Sequence, residues 1–101
     1  MSAYNHITAH LQCPRCGKGA SMTVDLYFGL RDQTDYKLGE IYRWRVGRSV
    51  QNGGRPSHGD LDGEGYAECP VCRKDFFLVA TVRGDVLENV QPDPNKKPLI
   101  Q

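Results

Sequence analysis

Apolar and polar residues alternate with period two along much of the chain, and that spacing predicts strands rather than helices. In residues 6–12, Ile7, Ala9 and Leu11 fall on one side and His6, Thr8 and His10 on the other. The cleanest alternation follows in residues 20–28, where Ala20, Met22, Val24, Leu26 and Phe28 oppose Ser21, Thr23, Asp25 and Tyr27. A third run, residues 36–46, sets Tyr36, Leu38, Tyr42, Trp44 and Val46 against Lys37, Arg43 and Arg45, with Gly39 inside it as a bend or bulge. Residues 75–83 carry apolar side chains on both faces (Phe76, Phe77, Leu78, Val79, Val82), which predicts the central strand of a sheet. Arg83, Gly84 and Asp85 suit a hairpin turn, with residues 86–90 returning as its partner.

Between these runs the pattern breaks. Residues 29–35 are polar and read as a loop with at most one helical turn. Residues 47–65 hold Gly47, Gly53, Gly54, Gly59, Gly63, Gly65 and Pro56 with almost no apolar side chain, which predicts a long flexible glycine-rich loop. The start, residues 1–5, reads as loose. The end, residues 91–101, carries Pro92, Pro94 and Pro98 and reads as extended or mobile. The expectation is a mostly β protein: a small antiparallel sheet forming one domain over residues 1–91, then a proline-rich tail over 92–101. The whole chain has 101 residues, enough for one modest core.

Such a core needs reinforcement, and the cysteines offer it. The chain has 4 cysteines, all in two short turns, Cys13-Pro14-Arg15-Cys16 and Cys69-Pro70-Val71-Cys72. Two residues between thiols let one tight turn present both sulfurs to one ion, and four thiolates satisfy the tetrahedral preference of Zn2+. Proline after the first cysteine presets φ for such a turn. Gly17 can take a positive φ and turn backbone N–H groups toward the sulfurs, whereas the second turn has Arg73 in that place, a departure expected to strain it slightly. Arg73 and Lys74 place positive charge beside a site of formal charge −2. Beyond these turns the chain holds no internal repeat.

Both turns resemble the Cys-Pro-x-Cys knuckles of zinc ribbons and rubredoxins, a likeness confined to the knuckles and their flanking strands. It implies that Cys13, Cys16, Cys69 and Cys72 ligate a single ion at the tips of two hairpins. The same ligands would also hold iron, as in a rubredoxin-like electron carrier. A disulfide pair fits a secreted chain, but no secretory signal precedes Cys13. A thioredoxin-like motif needs a strand–helix context that is missing. A catalytic zinc keeps an open position, whereas four thiolates close the shell. His6 and His10 are further candidate ligands that four cysteines make unnecessary.

Charge adds little. The net charge of +1 gives no global pull toward nucleic acid or an anionic membrane, and no apolar run approaches the length of a membrane span. A local signal does exist in residues 41–48, where Arg43, Arg45 and Arg48 interleave with Tyr42 and Trp44, a combination that binds single-stranded nucleic acid when the rings are exposed. Alternation favours the other arrangement, with the rings turned inward. The acids of residues 60–68 could also neutralise the arginines within the molecule. Arg48, Arg55, His58 and Asp60 are catalytic residue types, but no nucleophile–base order can be read from them. The sequence thus predicts a non-enzymatic zinc domain of the cytoplasm, one Zn2+ per chain, that contacts another protein. Nucleic-acid binding through Arg43, Trp44, Arg45 and Arg48 is the first alternative, and an iron redox role is the second.

Overall fold

The computed structural model describes residues 4–98. Of the predicted loose start and mobile tail, residues 1–3 and 99–101 lie outside the described residues. Six strands form one sheet: β1 (Asn5–Gln12), β2 (Gly19–Leu26), β3 (Asp35–Tyr36), β4 (Leu61–Glu68), β5 (Asp75–Arg83) and β6 (Val86–Pro92). Their order across the sheet is β3-β1-β2-β4-β5-β6. All neighbours are antiparallel except β3, which runs parallel to β1 through two residue pairs. The sheet is therefore larger than the small ribbon expected. Two short 3-10 turns, Val50–Asn52 and Ser57–Gly59, are its only helical elements among the described residues. No helix there is long and apolar enough to cross a membrane.

Two hairpins carry the cysteine turns, and the alternation in the sequence holds through the first. Strand β1 pairs with β2 from Asn5↔Leu26 to Gln12↔Gly19, and β4 pairs with β5 from Leu61↔Val82 to Glu68↔Asp75. Each hairpin is closed by a cysteine turn, residues 13–18 in one and 69–74 in the other. Between the hairpins only Asp25↔Tyr66 and Leu26↔Gly65 pair. Toward the cysteines that ladder ends, the sheet curls, and the two inner faces enclose a shared core. Ile7, Leu11, Met22, Val24 and Leu26 meet Ala67, Phe76, Leu78, Ala80 and Val82 there, all buried. A register shift between Thr81 and Val82 sets Leu87 and Val90 both inward, although three positions separate them along β6.

Four expectations are corrected. The predicted glycine-rich loop ends early, because residues 61–65 belong to β4. Gly63 and Gly65 are its inward positions: a Cβ at Gly63 would lie 2.3 Å from the Phe28 ring, and one at Gly65 3.0 Å from Val24. The space that side chains would fill is taken by neighbours, so the strand carries no apolar alternation. Second, residues 36–46 form no continuous strand. Only Asp35–Tyr36 pairs within the sheet; further on, single bridges join Ile41 to Val86 and Arg45 to Gly54. Tyr36 and Tyr42 are buried, but Leu38 and Val46, placed on the same face by alternation, are 48% and 97% exposed.

Third, β5 is interior but not central, one place in from the edge strand β6. Its outward Phe77 packs on Tyr66 at 5.0 Å and lies under the Lys96 ammonium at 4.5 Å. The chain beyond β6 thus covers the second apolar face. Strand β6 itself runs to Pro92, opposite Leu78, and the Asp93 N–H donates to the Phe77 carbonyl. Fourth, Asn5 is no loose residue. It is fully buried at the start of β1 and uses both ends of its amide. Its nitrogen donates to the Leu30 carbonyl (2.8 Å) and the Tyr42 hydroxyl (2.9 Å), and its oxygen accepts the N–H groups of Asp32 and Thr34.

Candidate metal centre

The core runs out, at one end of the sheet, into sulfur. Cys13 continues the inward phase of Ile7 and Leu11, and Cys69 continues that of Gly65 and Ala67, so both are buried. Cys72 is half-buried and Cys16 exposed. The two turns share one hydrogen-bond plan. In the first, the Cys13 N–H donates to the Lys18 carbonyl (2.9 Å) and the Gly17 N–H to the Cys13 carbonyl (2.8 Å). In the second, Cys69 N–H meets Lys74 and Arg73 N–H meets Cys69, both at 2.9 Å. Gly17 sits at φ 79° and Arg73 at φ 62°. An arginine therefore holds the left-handed conformation that glycine adopts freely, the strained departure that the sequence suggests.

The four Sγ atoms lie within 4.8 Å of one another. Two crossing pairs are closer: Cys13 to Cys72 at 3.8 Å and Cys16 to Cys69 at 3.9 Å. Sulfurs bound tetrahedrally to one ion at about 2.3 Å stand about 3.8 Å apart, so the two crossing pairs already have the spacing of a metal site and the wider ones would draw in. Backbone donors support the inner sulfurs. Cys13 Sγ accepts the N–H groups of Arg15 (3.3 Å) and Cys16 (3.4 Å), and Cys69 Sγ that of Val71 (3.4 Å). Gly17, at positive φ, gives its own N–H to the Cys13 carbonyl, and the N–H groups around it turn toward the sulfurs as the sequence suggests.

These contacts divide the thiols. The Cys69 thiol is lowered to about 7, chiefly by the Cys72 backbone N–H, with that of Val71 adding to it against burial. Cys16 moves the other way, to about 11: the Lys18 N–H pulls it down, but desolvation and the three neighbouring sulfurs outweigh it. One thiol is thus shifted toward ionisation at neutral pH and another away from it.

A second tie joins the two turns, and sequence reasoning missed it. Arg15, inside the first turn, donates to the Asp75 carbonyl at 2.9 Å and lies 3.6 Å from its carboxylate. Asp75 follows the second turn and is fully buried. Its other oxygen accepts the Tyr66 hydroxyl at 2.6 Å, which with burial raises that phenol to about 12. A buried aspartate next to a knuckle has no periodic signature; Arg15 and Asp75 are 60 positions apart.

The other candidates do not gather at this site. His6 bonds Asp25 at 3.0 Å on the outer face, and His10 lies beside Gly19. His58 is exposed in the Ser57–Gly59 turn. Arg43 pairs with Asp32 at 2.8 Å and also donates to Thr34 Oγ1. Trp44 is half-buried against Tyr42, its ring N–H given to Asp85 at 2.8 Å. Arg45 and Arg48 are exposed. The acids of residues 60–68 do not neutralise these arginines as pairs: Asp62 binds Arg83 and Glu64 binds Lys96. No protein-family model matches this chain, and neither does any curated protein or solved structure.

Proposed function

We propose that this chain is a non-enzymatic, structural-zinc β domain that serves as a protein-interaction module. The observation that carries the metal reading is the sulfur tetrahedron, whose two crossing contacts of 3.8 and 3.9 Å join the turns of different hairpins. When bound there, the ion supplies a cross-link between the two halves of the sheet and balances charge that the thiolates cannot balance alone. Cys13, Cys16, Cys69 and Cys72 would fill its shell, leaving no position for water or substrate. The interaction reading is supported by large apolar side chains left at the surface, Ile41 at 70% and Val46 at 97% exposure.

Metal analysis of the purified chain tests the first part. One equivalent of zinc and a colourless solution are expected; one equivalent of iron with visible thiolate-to-iron absorption would replace this reading with the redox one. The second part is tested by cross-linking in cells and repeating the capture with Ile41→Asp and Val46→Asp. Loss of one specific protein partner without a change in melting temperature is expected. Nucleic-acid binding keeps support from Arg45 and Arg48 alone, since Arg43 and Trp44 are already engaged within the molecule.

A further inference from the structure

The end of the sheet opposite the cysteines holds a cavity of about 170 Å³ between the end of β2 and the Val50–Asn52 turn. Arg31 and Arg45 both line it, together with Tyr27, Phe28, Val50, Gln51 and Asn52 and with no acidic residue. Arg15, Arg43, Arg55 and Arg83 each pair with an aspartate, whereas Arg48 and Arg73 point to solvent without one among the described residues. Among the described residues the guanidinium groups of Arg31 and Arg45 make no ion pair. Two like charges sharing one cavity repel each other, and a bound anion would relieve that repulsion.

The walls are built rather than incidental. Gly29 and Gly53, both at positive φ, also line the cavity and pack back to back. A Cβ on Gly53 would fall 2.5 Å from the Gly29 carbonyl oxygen, and one on Gly29 would fall 2.4 Å from the Tyr42 ring. Neither position accepts a side chain, so the backbone forms a close floor. That floor is pinned by Leu30 N–H to Arg43 (3.0 Å), Arg45 N–H to Gly53 (2.7 Å) and Gly54 N–H to Ser49 (2.8 Å). The Arg45 stem runs along Gly53, whose Cβ would lie 2.8 Å from Arg45 Cδ. The stem is thereby laid against the floor.

We propose that this cavity binds the phosphate group of a small phosphorylated molecule, held between Arg31 and Arg45. Planar guanidinium forks match phosphate oxygens in pairs. The volume is below the roughly 300 Å³ at which sites for drug-sized ligands begin, which suits a phosphate with a short polar body and not a whole nucleotide. This site is independent of the cysteine cluster and does not rest on the zinc reading.

The test uses the full chain with its native metal, titrated with inorganic phosphate by calorimetry at low ionic strength, with a short single-stranded RNA in a parallel arm. Saturable phosphate binding is expected, weakened at least about tenfold by Arg31→Gln and by Arg45→Gln. Arg48→Gln, a nearby exposed arginine that does not line the cavity, should leave it unchanged, and all three variants should melt with the parent. Absence of saturable phosphate binding, or equal losses in all three variants, would overturn the assignment. RNA bound more tightly than phosphate, with Arg48 contributing as much as Arg31 and Arg45, would overturn it in favour of a strand-binding surface.

Discussion

The two ends of the sheet are closed by opposite means. At one end, two short turns meet through four sulfurs, with Pro14 and Val71 exposed and little apolar surface to bury. At the other, the chain builds a lid from its own side chains. Phe28, Tyr42 and Tyr36 stack with ring centroids 4.6 and 4.7 Å apart, and Trp44 leans on Tyr42 at 5.1 Å. Asn5 and Tyr42 saturate each other and the surrounding backbone, with the Tyr42 hydroxyl donating to the Phe28 carbonyl at 2.6 Å. Asp85, in the turn between β5 and β6, accepts the Trp44 ring N–H and the Nε and Nη2 donors of Arg55. One end closes through four sulfurs that could hold a metal ion, the other through packed rings and buried hydrogen bonds. A turn of six residues has too few side chains to make a core, whereas a long excursion between β2 and β4 can bring four aromatic rings to one place.

That contrast can be broken most directly at the sulfurs. Cys69→Ser, or exhaustive chelation, should cost on the order of 5 kcal/mol or more, since metal binding and folding are linked. A Cys69→Ser protein that melted like its parent would end the structural-metal reading. The single tryptophan sharpens the comparison, because Trp44 lies in the lid. If the ends are separable, hydrogen exchange in residues 13–18 and 69–74 should accelerate at low chelator before Trp44 fluorescence changes; simultaneous change would show one cooperative unit.

Asn5→Ala should be the largest single loss at the lid, about 3 kcal/mol, because two backbone N–H groups, a carbonyl and a phenol lose their buried partner. A chemical-denaturation midpoint within error of the parent would contradict it. A smaller effect is expected at Asp85. The Arg55 hydrogen bonds, and then that of Trp44, hold its carboxyl below the usual value of 3.8. The native state thus takes up this proton less readily than the unfolded chain. Its contribution is present above pH 4 or so and fades as pH falls through the lowered value. Asp85→Asn, which tolerates the same left-handed backbone, should flatten the acid limb of the stability profile and shift Trp44 emission; an unchanged acid limb would remove the carboxylate from the lid. The smallest change is Arg73→Gly, expected to raise stability by up to about 1 kcal/mol through relief of the positive φ. A loss instead would mean that the arginine side chain contributes more than its backbone strain.

The sequence exposed four of the strands because β1 and β2 alternate apolar and polar residues, β5 is a run apolar on both faces, and β6 follows it through a hairpin turn. It hid β4 because the inward places there are Gly63, Gly65 and Ala67, small where Phe28 and Val24 already occupy the space. Tyr36, Tyr42 and Trp44 looked like a strand face because aromatic residues that collect over a sheet end share the spacing of residues that line one. The four cysteines were legible by spacing alone. Arg15, Asp75, Asn5 and Asp85 were not, since each works through a partner distant in the chain. The acids of residues 60–68 were legible as charge but not as partners, because β4 turns them toward Arg83 and Lys96.

The unequal cover over the sulfurs has its own consequence. Cys13 and Cys69 are sealed while Cys16 and Cys72 reach the surface, so any chelator or peroxide meets the cluster from a single side. If a metal ion is bound there, Cys16 and Cys72 would be its accessible ligands and Cys13 and Cys69 the ones held just past the ends of β1 and β4.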